Sequence, residues 1–146
     1  MKTQMQRILS AVILVLSIFV LFAEAEKVKK IKYKGEKWIK VDAVELYHQI
    51  DEYVYKNIYF EINYVYASNY RSILGKKYLS FYVGTGKKHG YIWVKGKQKD
   101  ILKVLYNCNR SGDKLGIFAQ VTRKKDYQEY EHFVITKHII ELEDRD

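Results

Sequence analysis

The 146-residue chain carries 26 lysines and arginines against 17 acidic residues, a formal net charge of +9, with fourteen tyrosines, no proline and one cysteine, Cys108. A single thiol excludes an internal disulfide framework, so the core alone must hold the fold. Lysine far outnumbers arginine, which favours diffuse attraction to polyanions, such as an anionic membrane surface or nucleic acid, over one tight anion clamp; solubility alone is the competing explanation.

The chain opens with Lys2 and Arg7 and no acid, followed by an apolar run from Ile8 to Phe22 broken only by Ser10 and Ser17. The run ends at Ala23-Glu24-Ala25, with small residues at the two positions that a signal peptidase reads. This three-part layout predicts a secretory signal over residues 1–25 and an exported protein, periplasmic or secreted. An uncleaved membrane anchor is the alternative, but a spanning helix needs about 20 apolar residues and this run is shorter. Cleavage removes Lys2, Arg7 and Glu24 and leaves 24 basic against 16 acidic side chains. One domain of about 120 residues is expected to follow, large enough to bury about two-thirds of its unfolded surface.

Residues 26–40 form a basic arm in which Lys27, Lys29, Lys30, Lys32, Lys34, Lys37 and Lys40 surround Val28, Ile31, Tyr33, Trp38 and Ile39. No clean period emerges, and the arm is expected to be loosely ordered with a short strand. Between Val41 and Tyr53, Val44, Leu46, Tyr47 and Ile50 share a helical face behind Asp42, which stands where an N-cap would. Period two then takes over. Ile58, Phe60, Ile62, Tyr64 and Tyr66 alternate with Tyr59, Glu61, Asn63 and Val65, which predicts a long first strand with one apolar face. After a polar segment from Ser68 to Lys77, a second strand over Tyr78–Val83 places Leu79, Phe81 and Val83 inward. Gly84 to Gly90 reads as a hairpin loop, and a third strand, Tyr91–Lys95, points Ile92 and Val94 inward. Ile101, Leu102, Leu105 and Tyr106 have helical spacing. A Gly112-Asp113 turn leads to a fourth strand with Leu115, Ile117, Ala119 and Val121 on one face. A charged loop from Arg123 to Glu131 precedes the last strand, Phe133 to Leu142.

Five strands with a helix between the third and fourth give a mainly β chain in the order β-β-β-α-β-β, that of an OB-fold barrel over residues 41–143, preceded by a short helix and followed by a tail at 144–146. Closure also removes the exposed edges of such aromatic strands.

Gly112-Asp113-Lys114-Leu115-Gly116-Ile117-Phe118-Ala119-Gln120-Val121 resembles the fourth-strand signature of bacterial OB-fold proteins. In that signature a Gly-Asp turn enters an alternating apolar strand with a small residue near its middle. Asp42-Ala43-Val44-Glu45-Leu46-Tyr47 and Tyr55-Lys56-Asn57-Ile58-Tyr59-Phe60 are similar to the helix-then-strand opening of the exported OB-fold proteins grouped as tRNA-anticodon-binding-like. The likeness spans residues 41–142 in pattern rather than identity. It departs at Ala119 and Asn63, where the family usually has glycine. The resemblance implies the barrel; a fold does not by itself imply a ligand.

Catalytic chemistry finds no foothold in the sequence. His48, His89, His132 and His138 are scattered, so no metal site or cofactor is expected, although an even spacing would put His132 and His138 on one strand face. Gly84, Gly86 and Gly90 with Lys87 and Lys88 lack the helix and Ser/Thr of a phosphate loop and fit a hairpin. An OB-type nuclease would need clustered carboxylates and paired arginines, and here the arginines lie on separate loops. Asn109-Arg110-Ser111 matches a glycosylation sequon, which matters only in a eukaryotic host.

The outward sides of the second and third strands present Tyr78, Ser80 and Tyr82 beside Tyr91, Trp93 and Lys95. Basic connections flank them, with Arg71, Lys76 and Lys77 before the second strand and Arg123, Lys124 and Lys125 after the fourth. Aromatics rimmed by cations suit an extended anionic ligand, either single-stranded nucleic acid or an anionic envelope polymer. Two other readings remain open: a protein-interaction or structural module of the cell envelope without a small ligand, and a secreted nuclease. The aromatics could equally be packing partners of the Val28–Trp38 arm.

Overall fold

A computed structural model describes residues 2–25, 28–108 and 113–143. Gly112, the sequon at 109–111 and the tail at 144–146 lie outside the described residues. The apolar N-terminal run lies in a helix, α1 (Lys2–Ala25), whose side chains at 3–16 are all exposed. Among the described residues no helix is long and apolar enough to cross a membrane.

The remainder is mostly β, with few helices and one mixed eight-stranded sheet: β1 (Lys30–Tyr33), β2 (Glu36–Lys40), β3 (Asn57–Ile62), β4 (Tyr64–Ala67), β5 (Tyr78–Gly84), β6 (His89–Lys95), β7 (Leu115–Asp126) and β8 (Glu129–Glu141). The strand order is β1-β2-β3-β7-β8-β6-β5-β4. Two helices punctuate it, α2 (Ala43–His48) and α3 (Lys99–Asn107).

Three features depart from the five strands expected. First, the basic arm is ordered as a hairpin. Tyr33 pairs with Glu36 across Lys34 and Gly35, both at positive φ (48° and 79°), the backbone of a tight two-residue turn. β2 then runs parallel to β3. Second, Asn63 divides the first strand. Ile58, Phe60 and Ile62 are buried as the alternation demands, but the next buried residue is Val65, not Tyr64. The slip of one residue turns Tyr64 and Tyr66 to the outer face. The Asn63 N–H donates to the Gly84 carbonyl at the break. Third, residues 123–131 are a β-hairpin rather than a loop. Arg123 pairs with His132, Lys124 with Glu131 and Asp126 with Glu129 around a two-residue turn, where Tyr127 has φ 53°.

The main core lies on the inner face of the sheet, where Phe60, Phe81, Ile92, Leu105, Ile117 and Val134 meet. Leu79, expected inward, is 39% exposed near the start of β5. The helix at 41–53 is shorter than its pattern predicts: α2 ends at His48 and a 3-10 turn, Ile50–Tyr53, follows. Its N-cap is as expected. The Asp42 carboxylate accepts from the Val44 and Glu45 N–H groups at 2.9 and 3.3 Å. Asp42→Ala should lower stability by about 1 kcal/mol, read as a lower urea midpoint at unchanged m-value.

Candidate ligand-binding face

The outer face of β4, β5 and β6 carries a grid of aromatic side chains. Tyr66 lies opposite Tyr82, and Tyr82 opposite Tyr91, so one row of three tyrosines crosses three strands. The next row is Tyr64, Gly84 and His89. Neighbouring ring centroids are 5.5 Å apart for Tyr64–Tyr66, 5.2 Å for Tyr82–His89 and 5.4 Å for Tyr82–Tyr91. Gly84 makes this packing feasible. A Cβ there would stand 2.8 Å from the Tyr64 hydroxyl and 2.9 Å from His89 Nδ1, and Tyr64 meets His89 Nε2 at 3.2 Å above it.

Trp93, expected on the open surface, is only 3% exposed. It sits on the outer face, opposite Ser80, but the 68–77 segment covers it. Ser80 Oγ donates to the Tyr70 carbonyl at 2.8 Å, and Leu74 packs with Tyr78 against Trp93, Phe133 and Ile135. Tyr70 stacks on Tyr91 (5.1 Å, 25°), and its hydroxyl donates to Glu131 at 3.0 Å. That bond is the first cause of a raised Tyr70 pKa, with burial second. The rings open to solvent are therefore Tyr66, Tyr91 and Tyr70, at 42%, 37% and 47% exposure, with Tyr82 partly buried among them.

The expected cover for this face, the Val28–Trp38 arm, lies elsewhere. Ile31, Tyr33 and Trp38 pack with Tyr59, Phe118 and Ile140 in a separate cluster.

The basic residues divide. Lys76, Lys77, Lys95 and Lys97 line, with Tyr78 and Gly96, a hollow of about 530 Å³ at the end of β5 and β6. Tyr78 and Lys95 are direct cross-strand partners, so the hollow continues the aromatic face. Arg71 is exposed on the 68–77 segment. Lys124 pairs with Glu131, the acceptor of Tyr70, which places it at the rim of the face. Arg123 does not join it. Strand alternation turns Arg123 the other way, and its guanidinium lies 4.7 Å from the Tyr130 ring centroid.

His132 and His138 have separate surroundings. His132 Nε2 lies 2.6 Å from the Asp51 carboxylate, and His138 packs among Tyr33, Trp38 and Phe118. Among the described residues no group of His, Cys, Asp and Glu is placed to hold a metal ion.

Tyr64, Tyr66 and Tyr70 were missing from the sequence-based set. The signal for the first two was Val65, a β-branched apolar residue between tyrosines, which competes with them for the inward position.

No family model and no curated protein matches the sequence. A solved structure from Leishmania major Friedlin, assigned as an aspartyl-tRNA synthetase, is similar at 11% identity and a TM-score of 0.46. The likeness covers 86% of this chain and 26% of that one, so the chain spans about a quarter of that protein's length.

Proposed function

We propose that this protein is an exported binding module of the OB type that holds an extended anionic polymer across β4, β5 and β6 without catalysing a reaction. The row Tyr66–Tyr82–Tyr91, running into the lysine-lined hollow at Lys76, Lys77, Lys95 and Lys97, carries this reading. Ring faces stack planar or ring-shaped units whatever their order, and lysines neutralise the backbone charge between them.

The barrel reading has its own support. β3 pairs with β7, β4 pairs with β5, and only Asn63 separates β3 from β4. Taken as one bent strand, they close a ring of five with β7, β8, β6 and β5, and β6 runs parallel to β8. In an OB barrel the second and third strands are a ligand surface, and these correspond to β5 and β6. Export rests on the basic start, apolar run and Ala23-Glu24-Ala25 motif, joined to a helix whose side chains at 3–16 are exposed.

A titration with single-stranded oligothymidylate over a range of salt tests the binding reading. Contact through the four lysines of the hollow predicts a log–log salt slope of about −3, with measurable binding left near physiological salt. Binding that disappears there would reduce the interaction to nonspecific charge attraction.

A further inference from the structure

A second basic hollow, of about 500 Å³, opens beside α3; it shares Lys97 with the first but none of the rings of the tyrosine row. Lysines from three parts of the chain converge on it: Lys34 from the β1–β2 turn, Lys97 and Lys99 from the entry to α3, and Lys137 from β8. His138 and Asp100 complete the titratable lining. Among the described residues none of these four lysines is in an ion pair.

A bulge in β8 builds one wall. Phe118 pairs with His138 and Ala119 with Thr136, which leaves Lys137 as an extra residue without a partner on β7. Regular alternation would send Lys137 and His138 to opposite faces, yet both line this hollow. Bulges of this kind re-aim side chains and are frequent beside functional sites. Gln98, at the N-cap of α3, makes no side-chain capping bond to the first turn of that helix.

The cations here are poorly compensated. Burial, and then Lys95, hold the Lys137 ammonium below the ordinary lysine range, opposed only by Glu36. Burial, Lys34 and Lys137 lower the His138 pKa, again against Glu36.

We propose that this hollow binds a phosphoryl group, carried either by free phosphate or at the end of a larger ligand. Lysine ammonium groups act on a phosphate as point charges, and a protonated His138 adds a further donor. The volume lies within the range of small-molecule sites and exceeds the needs of a single ion, so a phosphomonoester fits.

The test follows the His138 ring by NMR, its signal identified by its loss in His138→Asn, during titration with inorganic phosphate against chloride at equal ionic strength. A bound anion favours the protonated ring, so saturable shifts and a higher His138 titration midpoint are expected with phosphate and not with chloride. Lys137→Gln should weaken the phosphate response at least tenfold in a protein whose amide spectrum remains that of the folded chain. Oligothymidylates with and without a 5′-phosphate identify the source. A several-fold preference for the phosphorylated oligomer, lost in Lys137→Gln, assigns the site to the end of a polymer; saturation by phosphate without that preference assigns it to the free ion. Equal responses to phosphate and chloride, or an unchanged response in folded Lys137→Gln, would overturn the proposal. A tyrosine-row variant that loses oligomer binding should keep its phosphate response, because none of those rings lines this hollow.

Discussion

Tyr82→Ala should weaken binding of single-stranded oligothymidylate by about 5- to 150-fold near physiological salt, since one base stacked on an aromatic ring contributes about 1–3 kcal/mol. Tyr82 is the middle of its row, opposite Tyr66 on one side and Tyr91 on the other. Its removal therefore interrupts the platform instead of trimming its end. The inner side of β5 is filled by Phe81 and Val83, both fully buried, so the fold does not depend on the Tyr82 ring for its core. Tyr82→Phe keeps the ring face and should stay close to the wild-type affinity. Fluorescence anisotropy of a labelled oligomer measures both variants. Equal affinities for wild type and Tyr82→Ala would remove stacking from the account and leave charge alone.

Phe118→Ala should cost about 3–5 kcal/mol, a large part of the roughly 5–15 kcal/mol that holds a domain of this size. Phe118 stacks on Tyr33 at 4.2 Å, contacts Tyr59 at 4.7 Å and meets Trp38 edge-on at 5.3 Å. These rings fasten the β1–β2 hairpin to the outer side of β3 and β7, which β2 otherwise joins through a short parallel pairing at Ile39–Ile58 and Lys40–Tyr59. The loss should appear as a lower denaturant midpoint, with amide exchange accelerated first over residues 30–40. Tyr33 and Lys34 also line the phosphoryl hollow, so the variant should weaken phosphate binding as well. A cost below about 1 kcal/mol would mean that the hairpin is held by its strand pairing instead of by this cluster.

Much of the architecture can be read along the chain. Leu115, Ile117, Ala119 and Val121 alternate cleanly and all four are buried, because β7 has sheet neighbours on both sides and one face in the core. Asp42 announces α2 through a cap that is local chemistry. What the pattern concealed depends on distant contacts. The slip at Asn63 is decided where β3, paired with β7, gives way to β4, paired with β5, and no local period records that change of partner. Trp93 looked like a surface residue because alternation gives a face but not what lies over that face. The 68–77 segment covers it through the Ser80–Tyr70 and Tyr70–Glu131 hydrogen bonds, the second of which joins residues 61 apart in sequence. Arg123 to Glu131 looked like a loop because charge usually marks solvent. Here charged residues continue a two-stranded ladder past the end of the core, where both faces are open to water.

Stacking on the tyrosine row is the central claim, and ring-selective NMR tests it most directly. The protein carries ¹³C-labelled tyrosine and is titrated with oligothymidylate near physiological salt, with Tyr66, Tyr82 and Tyr91 assigned by single substitutions to phenylalanine. Upfield shifts of those three rings, larger than those of Tyr127 at the far hairpin turn, are the predicted result. The three tyrosine rings unmoved, at oligomer concentrations where anisotropy shows the protein saturated, would contradict it.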